Sequence, residues 1–318
     1  MLQLGTLTLA ALPWPAAPAQ AWPERPLKLV VNFPPGGASD QFARALAPLL
    51  QEALGQPVIV ENRAGSGGTL GGAAVARAAP DGHTLLMSSG GMLSVTPHLY
   101  SKLPFDPLKD LVPVAAVARV TVFLVVPADS PNRDWPAFLA DLRAHPGQRS
   151  FGSPGNGSAP HLAAELMKSL TGTQAVHVPY RGAAPALNDL LGGQVDFLFD
   201  PGTALPHIRS GRLRVLAVGS PRRSPLFPDV PTLAERGLPG FDADTVFGLY
   251  APTGTPPAVV QRLEETVARI VATPALRERI AAMGGEPALM SAAEFGARMA
   301  ADGRRFGSLI RERRIVGD

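Results

Sequence analysis

The sequence predicts a two-lobed α/β protein, with two mostly parallel sheets flanked by helices and joined by two hinge strands. Three observations predict it. Short apolar strands alternate with amphipathic helices in two separate series. The last helices have no strands of their own to cover. Glycine and serine concentrate where strands hand over to helices.

The first series opens with Leu27-Lys28-Leu29-Val30-Val31, a short apolar strand that ends at Asn32-Phe33-Pro34-Pro35-Gly36-Gly37. A helix is expected from about Ser39 to Leu54, stopped by Gly55. Val58 to Asn62 is the next strand, and Ala64-Gly65-Ser66-Gly67-Gly68 leads into a helix of small residues ending near Ala79. The turn Pro80-Asp81-Gly82 precedes the strand Thr84 to Met87, which runs into Ser88-Ser89-Gly90-Gly91. Val122 to Val126 reads as a buried strand.

The second series contains a helix over Trp135 to Ala144 and a strand at Ser150 to Ser153. A helix follows from about Ala159 to Leu170, then a strand at Ala175 to Val178 and a helix from Pro185 to Leu191. Strands at Val195 to Phe199 and Leu213 to Val218 complete it. Phe247 to Tyr250 is a further strand. Pro257 to Ala272 and Ala275 to Met283 are helical, and Ser291-Ala292-Ala293-Glu294 is a capping box for the last helix. Parallel strands need right-handed crossovers, so helices without strands should return to the first sheet. The expected division is 22–122 with 245–318 as a discontinuous first domain, and 123–244 as the second. The crossings fall near Val122 and Asp244.

Composition narrows the function. Of 318 residues, 46% are hydrophobic and 17% charged, which describes a well-buried globular chain. The net charge is +3, with basic residues scattered except near the C-terminus, so no nucleic-acid partner is expected. With no cysteine, thiolate metal sites, disulfides and cysteine nucleophiles are excluded together. Leu2 to Trp14 is a short apolar run followed by Ala19-Gln20-Ala21, a signal-peptide pattern over 1–21 that lacks a basic n-region. An exported, periplasmic chain starting near Trp22 is expected.

The glycine loops carry the chemistry. A helix N-terminus offers unpaired N–H groups and about half a positive charge, and glycine lets backbone approach a ligand. Such loops bind a carboxylate or phosphate without lysine or arginine. Each is also an ordinary turn into a helix, with Ser39, Asp40 and Ser158 as caps. No nucleotide fingerprint is complete: position 70 is leucine and position 160 proline where a third glycine is needed. No G-x-S-x-G or H-E-x-x-H occurs, so neither a catalytic residue nor a metal or cofactor is expected. His161 either hydrogen-bonds a ligand or caps its loop. Asp200, at the carboxyl end of its strand, receives a ligand amino group, holds a hinge or caps Gly202. Arg181 is the one cation at a suggestive junction.

These segments, in order, resemble the Bug family of periplasmic solute receptors, which serve tripartite tricarboxylate transporters. The resemblance rests on Val31-Asn32-Phe33-Pro34-Pro35-Gly36-Gly37 with Asp40, Glu61-Asn62-Arg63-Ala64-Gly65-Ser66-Gly67-Gly68, and Pro80-Asp81-Gly82-His83-Thr84-Leu85-Leu86. It continues through Leu103-Pro104-Phe105-Asp106-Pro107, Gly152-Ser153-Pro154-Gly155-Asn156-Gly157-Ser158 with His161-Leu162, and Val178-Pro179-Tyr180-Arg181-Gly182. Leu190 to Asp196, Gly211 to Val218 and Pro228-Asp229-Val230-Pro231-Thr232 extend it over nearly the whole mature chain. The resemblance implies a Venus-flytrap, type II-like periplasmic binding protein. It also implies capture of a dicarboxylate, tricarboxylate, acidic amino acid or aromatic acid by a monomer, for delivery to membrane permease subunits. A sensor kinase is the other partner such a receptor serves. By motif the ligand falls to Phe33, Pro34, Gly36, Gly37, Ala38, Ser39 and Asp40, then Ser66, Gly67, Ser88 and Ser89. Ser153, Gly157, Ser158, His161, Tyr180 and Asp200 come from the second lobe. Gly90-Gly91-Met92 and Asp200-Pro201-Gly202 depart from the family pattern and would alter the pocket's shape.

Overall fold

The computed structural model describes residues 22–317, so the signal-peptide segment 1–21 lies outside the described residues. Among the described residues, eleven strands form two sheets. The first sheet holds β1 (Leu27–Val31), β2 (Val58–Asn62), β3 (Thr84–Ser89), β4 (Leu111–Val120), β10 (Thr245–Pro252) and β11 (Gly285–Pro287), ordered β11-β4-β10-β3-β1-β2. The second holds β5 (Phe123–Pro127), β6 (Ser150–Ser153), β7 (Val176–Pro179), β8 (Phe197–Asp200) and β9 (Leu213–Val218), ordered β7-β6-β8-β5-β9.

The two-lobed α/β architecture is as expected, but the sheets are more mixed than the expected mostly parallel ones. β1 pairs parallel with β2 and β3, and β6 pairs parallel with β7 and β8. β10 runs antiparallel to β3 and β4, β11 antiparallel to β4, and β5 antiparallel to β8 and β9. The physical reason is connectivity. Parallel neighbours need a crossover within one sheet, whereas β5 and β10 enter their sheets from the other lobe.

Both sheets are covered on two faces, which explains their continuous apolar strands. In β1, Leu27, Leu29 and Val31 join one core cluster while Val30 joins the opposite one. In β5, Leu124 and Val126 face a cluster built on Phe138, Phe151 and Phe197, while Phe123 and Val125 face Leu187 and Leu190. Strand β4 escaped the sequence reading because Pro113 interrupts its apolar run. Pro113 opposes Tyr250 at a register shift, where a missing ladder N–H is tolerated.

The capping box of the last helix, Ala292–Arg313, forms as expected: Glu294 N–H donates to Ser291 Oγ and Ser291 N–H to Glu294 Oε2. This helix does not stay with the first sheet. Phe295 and Met299 join a first-lobe cluster, whereas Phe306, Leu309 and Ile310 pack into the core of the second sheet. Its length is the cause, since 22 residues at about 1.5 Å per residue reach across both lobes. The chain crosses between sheets at Thr121–Val122 and again before Thr245. There Gly219 N–H donates to Val122 O (2.8 Å) and Ala243 N–H to Gly219 O (2.9 Å).

Candidate ligand-binding cleft

Between the two sheets lies a cleft of about 910 Å³. The loop after β1 opens into it through Phe33, Pro34, Gly36, Gly37, Ala38 and Ser39. Gly37 is the N-cap of helix Ala38–Leu54 and has no side chain to cap it. The first amides of that helix, at Ala38, Ser39 and Asp40, have no intrahelical acceptor, because a helix's first turn never supplies one. The loop is braced from beneath by Asp40. Its Oδ2 accepts from Gly36 N–H (2.9 Å), and Arg44 Nε (3.0 Å) and Asn62 Nδ2 (2.9 Å) donate to the same carboxylate. Burial opposes ionisation of Asp40, but those hydrogen bonds outweigh it and hold the carboxyl below its ordinary range. Asn62 Nδ2 also donates to Phe33 O (3.1 Å), tying β2 to the loop.

Across the cleft, Gly155, Gly157 and Ser158 form the loop between β6 and helix Ala159–Thr171. This loop satisfies most of its own donors. Gly155 N–H donates to Ser153 Oγ (3.2 Å), Gly157 N–H to His161 Nδ1 (3.0 Å) and Ser158 Oγ to Gly155 O (2.7 Å). His161 is buried and stacks on His177 with ring centroids 3.8 Å apart. Burial first, then the charges of His177 and Lys168, push its pKa down to about 3. The ring is therefore neutral near pH 7 and free to accept from Gly157. Gly157 has φ +71°, and a Cβ there would overlap the Leu99 side chain of the facing lobe, so glycine permits the close approach. A second uncapped helix start, Gly182 leading into Ala183–Leu191, also borders the cleft.

The structure thus divides the expected site residues. Phe33, Pro34, Gly36, Gly37, Ala38, Ser39, Gly67, Ser89, Gly157 and Ser158 line the cleft together. Asp40, Ser66, Ser88, Ser153, His161, Tyr180 and Asp200 do not. Ser88 is fully buried within β3. Ser153 Oγ lies 2.7 Å from His177 Nε2, beneath its loop. Tyr180 Oη donates to Asp189 Oδ2 (2.6 Å), and burial, then Asp189, push its hydroxyl up to about 12. Asp200 accepts from the N–H of Gly202 (2.7 Å) and Ala204 (2.9 Å) and from Thr203 Oγ1. Of its three roles, the cap is the one its geometry fills. Asp40, Ser153, His161 and Asp200 hold the loops by accepting from their backbone N–H groups. Arg181 is exposed and also absent from the lining.

Several lining residues escaped the sequence reading. The last helix contributes Met299, Asp302 and Phe306, a spacing that puts all three on one helical face. Asp244 comes from the second crossing, and Val246 and Phe247 from the start of β10. Among the described residues no lysine or arginine lines the cleft.

Charges cluster beside the crossings instead. Arg298 Nη1 lies 2.8 Å from Asp242 Oδ2, and its Nε lies 2.8 Å from Asp302 Oδ2. Arg305 Nη2 reaches Asp302 Oδ1 (2.8 Å), and Arg119 Nε lies 3.4 Å from Asp244 Oδ2, which also accepts from Ser220 Oγ (2.7 Å). Burial, then the charge of Asp242, push Asp244 from its ordinary 3.8 up to about 6, against the pull of Arg119 and Ser220. A carboxyl raised in the fold binds more protons than in the unfolded chain between about pH 4 and pH 6. Its contribution is therefore most favourable below about pH 4 and is lost as pH rises through about 6. Two pKa units amount to at most about 3 kcal/mol. Asp244→Asn should gain stability relative to wild type as pH rises from 4 to 7, in paired thermal melts. A difference independent of pH would show that Asp244 keeps an ordinary pKa.

Comparisons with known proteins agree with this architecture. Residues 42–315 match the family model described as "Tripartite tricarboxylate transporter family receptor". The chain is 41% identical over 301 residues to protein BugT of Bordetella pertussis, covering 93% of this chain and 92% of that protein. Among solved structures, Rpa4515 of R. palustris with adipate superposes with a TM-score of 0.81 at 32% identity, covering 93% of this chain and all of that one. MatC of Rhodopseudomonas palustris with bound malate gives 0.77 at 33% identity, covering 91% of this chain and all of that one. A cleft between two α/β lobes, walled by glycine loops and continuous with a match over residues 42–315, places this chain among the solute-binding receptors of the tripartite tricarboxylate transporter family, not among enzymes.

Proposed function

We propose that this chain captures a small carboxylate-bearing solute in the inter-lobe cleft and delivers it to the membrane subunits of a tripartite tricarboxylate-type transporter. The observation that carries the reading is the bare N-terminus of helix Ala38–Leu54, opening onto a cleft with no lysine or arginine in its described lining. Unpaired helical amides, desolvated when the cleft closes, would hold a carboxylate by charge-assisted hydrogen bonds. The lobes that close are 22–122 with most of 245–318, and 123–244, with the paired crossings at Val122 and Asp244 as hinges. Closure draws on contacts available only in the closed state. The chain would be exported by residues 1–21 and act as a monomer. The malate in MatC and the adipate in Rpa4515 support a carboxylate as the class of ligand.

Thermal-shift screening of the mature protein tests this against dicarboxylates, tricarboxylates, acidic amino acids and aromatic acids. A ligand at a hundred times its Kd should add about 2.7 kcal/mol of stability, a shift of several degrees in Tm. Stabilisation by a neutral sugar or a cation, with none by any acid, would remove the carboxylate from the proposal.

A further inference from the structure

We propose that Met299, on the last helix, is a specificity-determining residue: it forms an end wall against which an extended solute body stops, and so sets the length of acid the cleft accepts. The inference rests on the reading of the cleft as a carboxylate site and deepens it. Strand order supplies the geometry. At the end of the first sheet that borders the cleft, the loop after β1 has the Gly67 loop after β2 on one side. On its other side come Ser89, Gly90 and Gly91 after β3, then the start of β10, where Phe247 pairs with Ser89. Each flank carries a glycine covered by a large side chain. A Cβ on Gly67 would overlap the Tyr100 hydroxyl, and one on Gly90 would overlap Met299 Sδ.

The two flanks differ in the room they leave. On the β2 side the Tyr100 ring is wedged between Gly67 and Gly317, so that side is filled. On the β3 side the floor is low. Gly90 and Gly91 bring no side chain, and Gly90 is tied down through its N–H to Val246 O (2.7 Å) and its carbonyl, which accepts from Ser94 Oγ (3.0 Å). Met299 rises above that floor. Only 2% of it is exposed, and a buried cluster with Tyr250 and Phe295 fixes it from behind. Neighbouring strands lie about 4.8 Å apart, which puts Met299, over β3 and β10, roughly 5–10 Å along the sheet end from the helix amides after β1. That is the span of a chain of several carbons. A solute anchored by a carboxylate at Ala38 and Ser39 extends over the two glycines until it meets the thioether. Its polarisable, apolar surface suits a hydrocarbon tail or the methylenes between two polar ends.

Calorimetric titration of the mature protein at neutral pH with the straight-chain acids from butanoate to octanoate, and from succinate to suberate, tests the proposal. In whichever series binds, affinity should rise with chain length to an optimum and fall beyond it. Met299→Ala should move that optimum to a longer acid. The next two homologues should improve on the order of tenfold, about fourfold for each methylene that gains room. Gly90→Ala works from the other side. Its backbone, at φ −57° and ψ −22°, accepts alanine, but the new methyl group must push the flexible Met299 sulfur into the space that a packed cluster leaves it, the cleft. The optimum should then shorten, and Gly90→Ala combined with Met299→Ala should restore the longer acids. Thermal melts establish that each variant is folded, and Gly90→Ala decides alone if Met299→Ala is not. A merely structural Met299 would lower the melting temperature without moving the optimum, and an unchanged optimum in the folded single variants overturns the proposal. Binding of none of these chains by the wild type would overturn it as well, while the receptor reading would stand or fall by the wider thermal-shift screen.

Discussion

Replacing Gly37 with valine should weaken binding of the cognate acid by about a hundredfold while leaving the protein folded. The backbone at Gly37 has φ −73° and ψ 167°, a region that β-branched residues occupy readily. A Cβ there would have Pro34 O as its nearest neighbour at 3.5 Å, an ordinary contact. The fold therefore has little reason to object, and exchanging one non-hydrogen-bonding N-cap for another costs at most about 1 kcal/mol. Binding has every reason to object. Gly37 lines the cleft beside the amides of Ala38 and Ser39, and two added methyl groups would hold a carboxylate away from them. A hydrogen bond to a charged group contributes roughly 1.5–3 kcal/mol, so losing even one or two accounts for the factor. Calorimetry and a thermal melt on the same preparation separate the two effects. Unchanged affinity would take the loop after β1 out of the site.

The largest loss of stability should come from Arg298→Ala. Arg298 lies between Asp242 near the second crossing and Asp302 on the last helix, and all three side chains are largely shielded from water. Burial works against its charge, but the two carboxylates outweigh it and raise its pKa above the ordinary value. Removing the cation strands both anions in a poorly solvated place. Breaking a buried pair in this way typically costs about 3–5 kcal/mol. Arg223, paired with Glu235 on an exposed surface, is the internal control, and its alanine variant should unfold at nearly the wild-type urea concentration. Equal midpoints for the two variants would mean that the Arg298 cluster is already well solvated. Because Arg298 ties the last helix to the crossing, its loss should also loosen the two lobes relative to each other.

Much of the scaffold was legible in the residues. Leu27–Val31 and Leu213–Val218 declare themselves as strands by short apolar runs, each interrupted only by one basic residue, Lys28 or Arg214. Ser291 and Glu294 declare a helix start three residues apart, where both capping hydrogen bonds form. Gly55 and Gly172 stop their helices in left-handed conformations that other residues resist. Strands β4 and β11 were not legible. Pro113 breaks the local pattern of β4, and β11 is only three residues long. Both are held by pairing with distant partners, which no local window contains.

Of the site, the sequence by itself determined where the backbone-rich loops lie. Glycine and proline constrain φ and ψ locally, so Phe33 to Ser39 and Gly155 to Ser158 are recognisable without any tertiary contact. Only the tertiary structure decided which side chains those loops present. Asp40, Ser153, His161 and Asp200 belong to the same motifs as the lining residues, yet each turns beneath its loop to brace it. Side-chain direction at a strand-to-helix junction depends on packing behind the loop, and motif spacing does not encode it. The same holds for Met299, Asp302 and Phe306. They reach the cleft because a helix 22 residues long leaves one lobe's core and enters the other's, an outcome set by burial across the whole chain.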